Sequence, residues 1–385
     1  MLSGFITSFT IILIVIFLFR EGAELFNSSN VEEGYVLAIN NNNPVNKINP
    51  EKIMDIFDAE ITNWNEVGGV NADIRVFRFS DITKYSTPEE LGSNFENIPE
   101  VLSNIVSAHP DIIAYFPEHY VAEDFKGKIL ANGKISPASF FGCTKWYPTA
   151  QPSPQFGVLP LFLGTLWVSI AAILIALPFG MAVAIYLAEL AGSRLRKILK
   201  PIIELLAGIP SVVYGFFGLV VIVPLIQKVF GLPVGGTALA GAIILAIMAL
   251  PTIITVAEDA IRTTPRAMKE SSLALGATHW QTIRKVILPY SVSGIMAAVV
   301  LGIGRAIGET MAVLMVTGNA AVMPKSLVEP IRTIPATIAA ELGEAPSGGA
   351  HYQALFMLGC ILFLLTLIIS ISVEFIAKQK HKQTI

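Results

Sequence analysis

Two oppositely charged residues interrupt an apolar stretch of this chain. The stretch LGIGRAIGETMAV, residues 301–313, contains Arg305 and Glu309, which are four positions apart and would share one face of a continuous helix. Charges are costly to bury in lipid, so such a pair must face the interior of a helix bundle or a water-filled path. Two uses fit these residues: a structural ion pair that locks helix packing, or a guanidinium that meets an anion.

The rest of the chain has the composition of a membrane protein. Of its 385 residues, 53% are hydrophobic and only 14% are charged, which favours a bundle of membrane helices over an ordinary soluble domain. The first apolar stretch is interpreted as a retained helix, because no small-residue cleavage site follows it. Six transmembrane helices are predicted near residues 3–19, 158–188, 202–226, 237–257, 290–317 and 354–376.

Charged residues predict the orientation of these helices. The segment 20–157 contains 10 basic and 19 acidic residues, and it is long enough for a small domain. Basic residues form three clusters elsewhere: Arg194, Arg196, Lys197 and Lys200; Arg262, Arg266, Lys269, Arg284 and Lys285; and Lys378, Lys380 and Lys382. The positive-inside rule places these clusters and both termini in the cytoplasm, and the acidic segment outside.

No pattern in the sequence is typical of a catalytic or metal site. The five histidines are scattered without the spacing of metal ligands, and Cys143 and Cys360 lie in different predicted compartments. The sequence also contains no Walker motif for nucleotide binding. We therefore expect a protein that is not an enzyme and that binds no metal or cofactor itself.

The cytoplasmic loop at residues 258–295 predicts two short helices. Pro265 suits the start of the first helix, Gly276 ends it as a left-handed residue, and the second helix starts near Thr278. Such a pair is typical either of amphipathic helices at a membrane surface or of a docking element for a soluble partner.

This loop resembles the coupling loop of permease subunits in ATP-binding-cassette importers, which carry an EAA, Gly and Ile-x-Leu-Pro pattern. Two serines replace the alanines of that pattern here, and a valine replaces its isoleucine. The matching positions are Glu270, Ser271, Ser272, Gly276, Leu288 and Pro289. The resemblance implies that residues 259–289 dock onto a partner ATPase, which would bind ATP and Mg²⁺ in place of this chain.

Longer stretches narrow the resemblance to one family. GTLWVSIAAILIALPFGMAVAIYLAELA (164–191), ELLAGIPSVVYGFFGL (204–219) and GIGRAIGETMAV are similar to the phosphate-specific transport (Pst) permease, and more to its PstC type than its PstA type. The resemblance implies an all-α polytopic membrane protein, an ABC importer type I permease with six transmembrane helices and an α/β periplasmic insertion between helices 1 and 2. The expected segments are helix 1 at 1–19, the insertion at 20–157, a five-helix core at 158–377 and a cytoplasmic tail at 378–385.

The same resemblance implies a function and partners. The chain would be a permease subunit of an ATP-driven phosphate importer in the bacterial inner membrane. Its implied partners are a PstA-like second permease, a PstB-like ATPase dimer, a PstS-like periplasmic phosphate-binding protein, phosphate and membrane lipid, but no nucleic acid. In that setting Arg305 would meet the anion at a gate and Glu309 would be its resting partner. Chemistry alone leaves two alternatives open: a permease for sulfate or molybdate, and a membrane sensing scaffold that transports nothing.

The acidic segment resembles part of a periplasmic phosphate-binding protein. NKINPEKIMDIFDAEITNWNEVGG, residues 46–69, is similar to a short helix that precedes an Ile-Thr-Asn-Trp-Asn turn in those proteins. Where they carry a Gly-rich anion-binding loop, residues 79–83 of this chain contain no glycine, and the net charge of the segment is −9. We expect a segment that has lost its ligand site and that docks the true binding protein, caps the outer mouth or is a plain insertion.

Overall fold

The structure, a computed structural model, describes residues 2–131 and 133–383, without the side chains of 2–5, 50–51 and 373–383. The chain forms two compact units. The first contains the residues up to Val158 together with Ala345–Ala354, and the second contains Leu159–Glu344 and the residues from Leu355 onward.

The first unit begins with a long helix and continues as a small α/β domain. Its helices are α1 (Leu2–Glu24), α2 (Pro50–Phe57), α3 (Ile82–Tyr85), α4 (Ile98–Ala108) and α5 (Pro137–Gly142). Its strands are β1 (Tyr35–Asn40), β2 (Arg75–Arg78), β3 (Ile112–Pro117), β4 (Gly127–Ile129), β5 (Trp146–Tyr147) and β6 (Gln155–Phe156). Helix α1 extends past the expected end of helix 1 at residue 19.

Four strands of the first unit form one sheet, in the order β2-β3-β1-β4. Strand β1 is antiparallel to β3 and β4, whereas β2 is parallel to β3. Because side chains alternate across a sheet, Leu37 and Ile113 enter one buried core while Val36 and Ile112 enter another on the opposite face. Strands with both faces covered are apolar throughout, as β3 is.

The helix predicted after Asn49 is confirmed as α2. Ile53, Ile56 and Phe57 are buried on its inner face, as the spacing of these residues predicts. The turn that follows places Trp64 in the same core with no exposed surface, and its indole N–H donates a hydrogen bond to the carbonyl of Asp111 at 3.0 Å. The segment that carries this resemblance is therefore part of a packed domain.

The regular elements of the second unit are helices, and a non-helical segment at residues 318–333 separates two of them. Its helices are α6 (Leu159–Ile185), α7 (Ser193–Ala207), α8 (Ser211–Phe217), α9 (Val223–Phe230), α10 (Ala238–Arg262), α11 (Arg266–Ala274), α12 (His279–Thr282), α13 (Leu288–Tyr290), α14 (Val292–Gly308), α15 (Met311–Val316), α16 (Ile334–Glu341) and α17 (Ala350–Gln383), of which the first residues of α17 belong to the first unit. Wider helical turns at Tyr186–Leu190, Gly218–Ile222 and Ile283–Ile287 join neighbouring helices.

Helix α10 lies at the centre of the second unit and packs against α6 and α14. Ile253 on α10 contacts two glycine positions: a Cβ at Gly180 of α6 or at Gly302 of α14 would come within 2.8 Å of its side chain. Small residues let helix backbones approach closely in membrane proteins. Gly304 and Gly308 differ, because a Cβ there would meet no atom within 4 Å.

Four described segments are long and apolar enough to cross a membrane: Leu159–Leu190, Ser211–Phe230, Ala238–Arg262 and Ala350–Ser372. A fifth arises if His279–Tyr290 and Val292–Ile307, which meet at a bend of 72°, count as one broken span. The sequence predicts six. The predicted first span coincides with α1, which is not among these segments.

Two predicted spans have the wrong boundaries. The span predicted at 202–226 begins at Ser211, because the chain leaves the helix between Ala207 and Pro210 and α7 is a separate helix. A proline has no backbone N–H for the helix ladder and disfavours helix in the residue before it. Pro178, in contrast, lies inside the continuous helix α6. The side chains of the predicted basic tail at 378–385 lie outside the described residues.

The span predicted at 290–317 is also divided. Helix α14 ends at Gly308, and Glu309 adopts an extended conformation with φ −74° and ψ 130°. Its carboxylate accepts a hydrogen bond from the backbone N–H of Ala312 at 3.4 Å, in the first turn of α15. A side-chain acceptor that satisfies a free N–H at a helix start stabilises that start, so Glu309 favours a new helix over continuation of α14.

Candidate functional site

The predicted coupling loop forms two exposed helices joined by a glycine turn. Helix α11 ends at Ala274, and Gly276 has a φ of +85° at a position where a Cβ would meet no atom within 4 Å. Glycine is therefore needed for its left-handed conformation and not for lack of room. The second helix starts with a capping box in which Thr278 accepts a hydrogen bond from the N–H of Gln281 and the Gln281 side chain accepts one from the N–H of Thr278.

The six predicted coupling residues divide by exposure. Glu270, Ser271 and Gly276 are exposed, whereas Ser272 is half-buried and lies 3.0 Å, oxygen to oxygen, from the hydroxyl of Thr282 in α12. Leu288 and Pro289 are half-buried as well, and Leu288 packs against the buried core at the base of the loop. Exposed members of this set can contact a partner, while Ser272, Leu288 and Pro289 hold the loop in place.

Exposed apolar side chains stand on the same two helices. Leu275 is 89% exposed and Trp280 60% exposed, and Met268 and Leu273 are also exposed. An open groove between the helices is lined by Ala267, Met268, Ser271, Ser272, Leu275 and Val286. Exposed apolar side chains clustered on a polar loop are typical of a surface that contacts another protein or a membrane. The family pattern predicts the small residues here but not the contribution of Leu275 and Trp280.

An ion pair ties this loop to the end of helix α6. The Lys269 ammonium lies 2.5 Å from Oε1 of Glu189, in the wide turn that follows α6, and both side chains are mostly buried. From the sequence, Lys269 is predicted only as a member of a basic cluster that sets orientation. Its role here is specific, because it connects the helix that carries Glu270 to a long apolar helix.

A second ionic cluster surrounds Glu258 near the end of α10. Its carboxylate is almost fully buried and pairs with Arg196 and with Lys200, whose Nζ is 3.3 Å away, while Arg262 Nη1 lies at 3.8 Å. Partial burial is the largest effect on the Lys200 ammonium and lowers its pKa. The hydrogen bond to Asp259 and the negative charges of both carboxylates outweigh it and raise the pKa above its ordinary value. The cluster fixes α7 against α10.

Arg305 and Glu309 do not form the predicted ion pair. Both are half-buried, and within the described residues Arg305 has no salt bridge to any carboxylate. Its Nε is buried and makes no hydrogen bond. The shared helical face that the spacing predicts is lost because α14 ends before Glu309, which turns its carboxylate to α15 instead. Arg305 thus offers a guanidinium that no described side chain neutralises.

A buried arginine pair that the sequence does not predict lies elsewhere in the second unit. Nη1 of Arg332 is 2.6 Å from Oε1 of Glu341, at the end of α16, and their side chains are 20% and 12% exposed. Nε of Arg332 is buried without a hydrogen bond, as in Arg305. Their separation of nine residues is not a helical spacing, so no pattern in the sequence predicts this pair. The sequence shows only that each of two apolar segments contains a charged residue.

In the first unit, the stretch at residues 79–83, which is predicted to have lost an anion-binding loop, makes local hydrogen bonds. Oδ2 of Asp81 accepts a hydrogen bond from the backbone N–H of Arg78 at 3.2 Å, and Oδ1 of Asp81 accepts one from Lys84 at 2.6 Å. The hydrogen bond from Lys84, followed by that from the Arg78 N–H, lowers the pKa of Asp81 despite slight desolvation. The carboxylate of Asp81 thus occupies the N–H of Arg78, and Phe79 stacks on Tyr120.

Two models of known protein families match this chain. A family model described as "Binding-protein-dependent transport system inner membrane component" matches residues 176–382, more than half of the chain. The chain belongs to this family. A second family model, described as "PBP superfamily domain", matches residues 20–149 of this inner membrane component and covers the α/β part of its first unit.

Curated relatives of this inner membrane component are bacterial permeases. "Probable ABC transporter permease protein YqgH" of Bacillus subtilis is 41% identical over 251 residues, which cover 65% of this chain and 81% of that protein. "Phosphate transport system permease protein PstC" of Mesorhizobium japonicum is 42% identical over 250 residues, covering 60% and 75%. The PstC protein of Pasteurella multocida is 39% identical over 265 residues, covering 64% and 81%. The resemblance to the Pst permease is therefore confirmed, as is a helical membrane fold.

Proposed function

We propose that this chain is a permease subunit of an ATP-driven importer of inorganic phosphate. The observation that carries the proposal is its identity of about two residues in five to proteins named as phosphate permeases, over at least three quarters of their length. The structure supplies compatible chemistry. A guanidinium binds phosphate oxygen atoms through planar, paired N–H donors, and Arg305 presents one that no described carboxylate neutralises.

The proposed partners are the other subunits that such an importer needs. The surface around Glu270 and Leu275 would dock a dimeric partner ATPase, which binds ATP and Mg²⁺ and supplies the energy. A second, PstA-like permease would complete the path, and a periplasmic phosphate-binding protein would deliver the anion. The exposed, polar and apolar character of the coupling surface supports the first of these contacts.

The finer arrangement in the membrane belongs to the same proposal. Helix α1 would be the first of six spans of a type I permease, residues 20–157 would lie in the periplasm, and both termini would be cytoplasmic. The contrast between the net charge of −9 in that segment and the basic clusters around Arg196 and Lys269 supports this orientation.

The test is transport by the reconstituted complex. The chain is co-purified with its second permease and ATPase and placed in proteoliposomes that enclose ATP, with the binding protein and radiolabelled phosphate added outside. We expect phosphate to accumulate inside, and we expect no accumulation when ADP replaces ATP. Labelled sulfate and molybdate serve as parallel substrates. Accumulation of either in place of phosphate, or ATP hydrolysis without any uptake, would contradict the proposal.

A further inference from the structure

The backbone around Arg332 is held firmly in the second unit. Ile331 is fully buried, and its N–H donates a hydrogen bond to the carbonyl of Thr317 at 3.0 Å. On the other side, Thr333 caps α16, and the N–H of Ile334 donates to the hydroxyl of Thr165 on α6 at 2.9 Å. The side chain of Arg332 therefore extends from a fixed position, which is a requirement for a binding residue.

The ion pair with Glu341 leaves part of the Arg332 guanidinium unused. One nitrogen, Nη1, meets Oε1 of Glu341, whereas Nε is buried and has no hydrogen-bond partner among the described residues. A guanidinium has five N–H donors arranged for a planar, two-point contact, and an arginine–carboxylate pair is stronger when two of these donors take part. A buried donor without a partner destabilises the protein, so its retention here requires another explanation.

Arg332 and Arg305 border the same part of the second unit. Arg332 follows Ile331, and Arg305 precedes Ala306. Ile331 and Ala306 belong to one buried cluster, in which they pack with Val168 of α6. Arg332 lies beside Gly164 of α6, while the turn of α14 before Arg305 lies beside Ile173. Nine residues of helix separate these levels, a distance of about 13 Å along its axis.

We propose that Arg332 is a second oxyanion-contacting residue of the transport path, set at a different level from Arg305, with Glu341 as its partner before the anion arrives. The unused Nε and the planar fork would take two phosphate oxygen atoms, and the adjacent carboxylate would prevent the anion from being held too tightly. The inference rests on the proposed function and adds to it one residue and one further anion-binding position along the path. It also transfers to Arg332 and Glu341 the arrangement that the sequence predicts for Arg305 and Glu309.

The test compares three variants in the reconstituted complex: Arg332→Gln, the charge exchange Arg332→Glu with Glu341→Arg, and Arg194→Gln as a control at an exposed arginine without a described ion pair. We expect Arg332→Gln to assemble and to hydrolyse ATP, but to take up about 10- to 100-fold less phosphate per ATP, the effect of a lost charged hydrogen bond. The exchange restores an ion pair but not a guanidinium at position 332, so uptake stays low. The control keeps full uptake.

Wild-type-like uptake in Arg332→Gln, or recovery of uptake in the charge exchange, would show that the pair is only structural. The wild-type complex is measured first: if it hydrolyses ATP without importing phosphate, the proposed function fails, and this inference fails with it. If it imports phosphate, the variants test Arg332 alone.

A thiol measurement on complex that has already assembled tests the positive charge at position 332 separately from assembly. Cysteine is placed at position 332 after Cys143→Ser and Cys360→Ala, the replacements of both natural cysteines. Reaction with a thiosulfonate that carries an ammonium group is expected to raise phosphate uptake, whereas the matching sulfonate reagent is not, because only the former returns a positive charge. Equal effects of the two reagents would overturn the proposal.

Discussion

Arg305 keeps its charge in an apolar helix without the partner that the sequence predicts for it. The four-residue spacing to Glu309 implies a pair only if the helix continues, and α14 ends at Gly308. The sequence places Arg305 in an apolar stretch but does not predict its environment, because a local carboxylate-to-backbone hydrogen bond at Glu309 competes with the helix ladder. No spacing rule predicts the pair of Arg332 with Glu341, since its geometry depends on how a loop returns to α16.

Because Arg305 and Glu309 are not paired, we expect substitutions of the two residues to affect phosphate uptake by the reconstituted complex differently. We expect Arg305→Gln to reduce uptake at least about tenfold, because it removes the charged donor that would face the anion in the proposed path. Glu309→Gln keeps an oxygen that caps α15, so we expect near-normal uptake. An ion-pair mechanism predicts equal losses in the two variants, and that result would refute the assignment. Assembly is checked by co-purification of the partner subunits.

At the scale of elements, the coupling loop is the part that the sequence predicts best. Both helices, the capping box at Thr278 and the left-handed Gly276 follow from local rules on caps and turns. What local rules do not contain is the connection of α11 to the end of α6 through Lys269 and Glu189, which are far apart in the sequence. The same limit explains why hydropathy places part of α7 in a membrane span.

The connection between Lys269 and Glu189 predicts a defect in coupling that charge exchange repairs. We expect Lys269→Glu and Glu189→Lys, each alone, to lower phosphate uptake per ATP hydrolysed about 5- to 30-fold, because like charges then meet in a mostly buried site. The double exchange restores the pair and most of the uptake. Lys285→Glu, at an exposed lysine of the same loop without a described ion pair, is the control. Failure of the double exchange to recover would exclude this pair as the link.

Leu275 predicts where the partner ATPase binds. Its side chain is 89% exposed, so Leu275→Asp leaves the fold of the chain intact while it puts a charge into an apolar contact. We expect binding of the ATPase to weaken at least about 30-fold, as for other central interface residues. Val70→Asp, at an exposed apolar residue of the first unit, is the matched control. The measurement is co-purification at graded ATPase concentrations; unchanged binding would place the contact elsewhere.

On the scale of the whole molecule, composition alone identifies a membrane protein with one large polar segment. The sequence also separates the acidic segment from the basic loops, and the structure shows a packed α/β domain in the former. The sequence does not predict that Ala345–Ala354 belong to the first unit, because that assignment depends on contacts between residues more than 300 positions apart along the chain. The count of spans differs as well, since α1 is not among the described segments that are long and apolar enough to cross a membrane, and Val292–Ile307 counts only together with His279–Tyr290 across a bend of 72°.

Charge asymmetry predicts which side of the membrane each segment faces. In a chain with Cys143→Ser and Cys360→Ala, single cysteines are introduced at Asn94 in the first unit and at Gln281 in the coupling loop, both exposed positions. We expect a membrane-impermeant maleimide added to spheroplasts to label the former and to label the latter only after lysis. The reverse labelling pattern would invert the proposed topology.

The hydrogen bond from Ser28 to Gln353, 2.5 Å between oxygen atoms, has a consequence for biosynthesis. Ser28 leaves the ribosome 325 residues before Gln353 does. A domain that takes in Ala345–Ala354 therefore reaches its final form only after these residues have been translated. Until then the early strands of the first unit lack these residues, so the completion of this unit depends on synthesis of the start of α17.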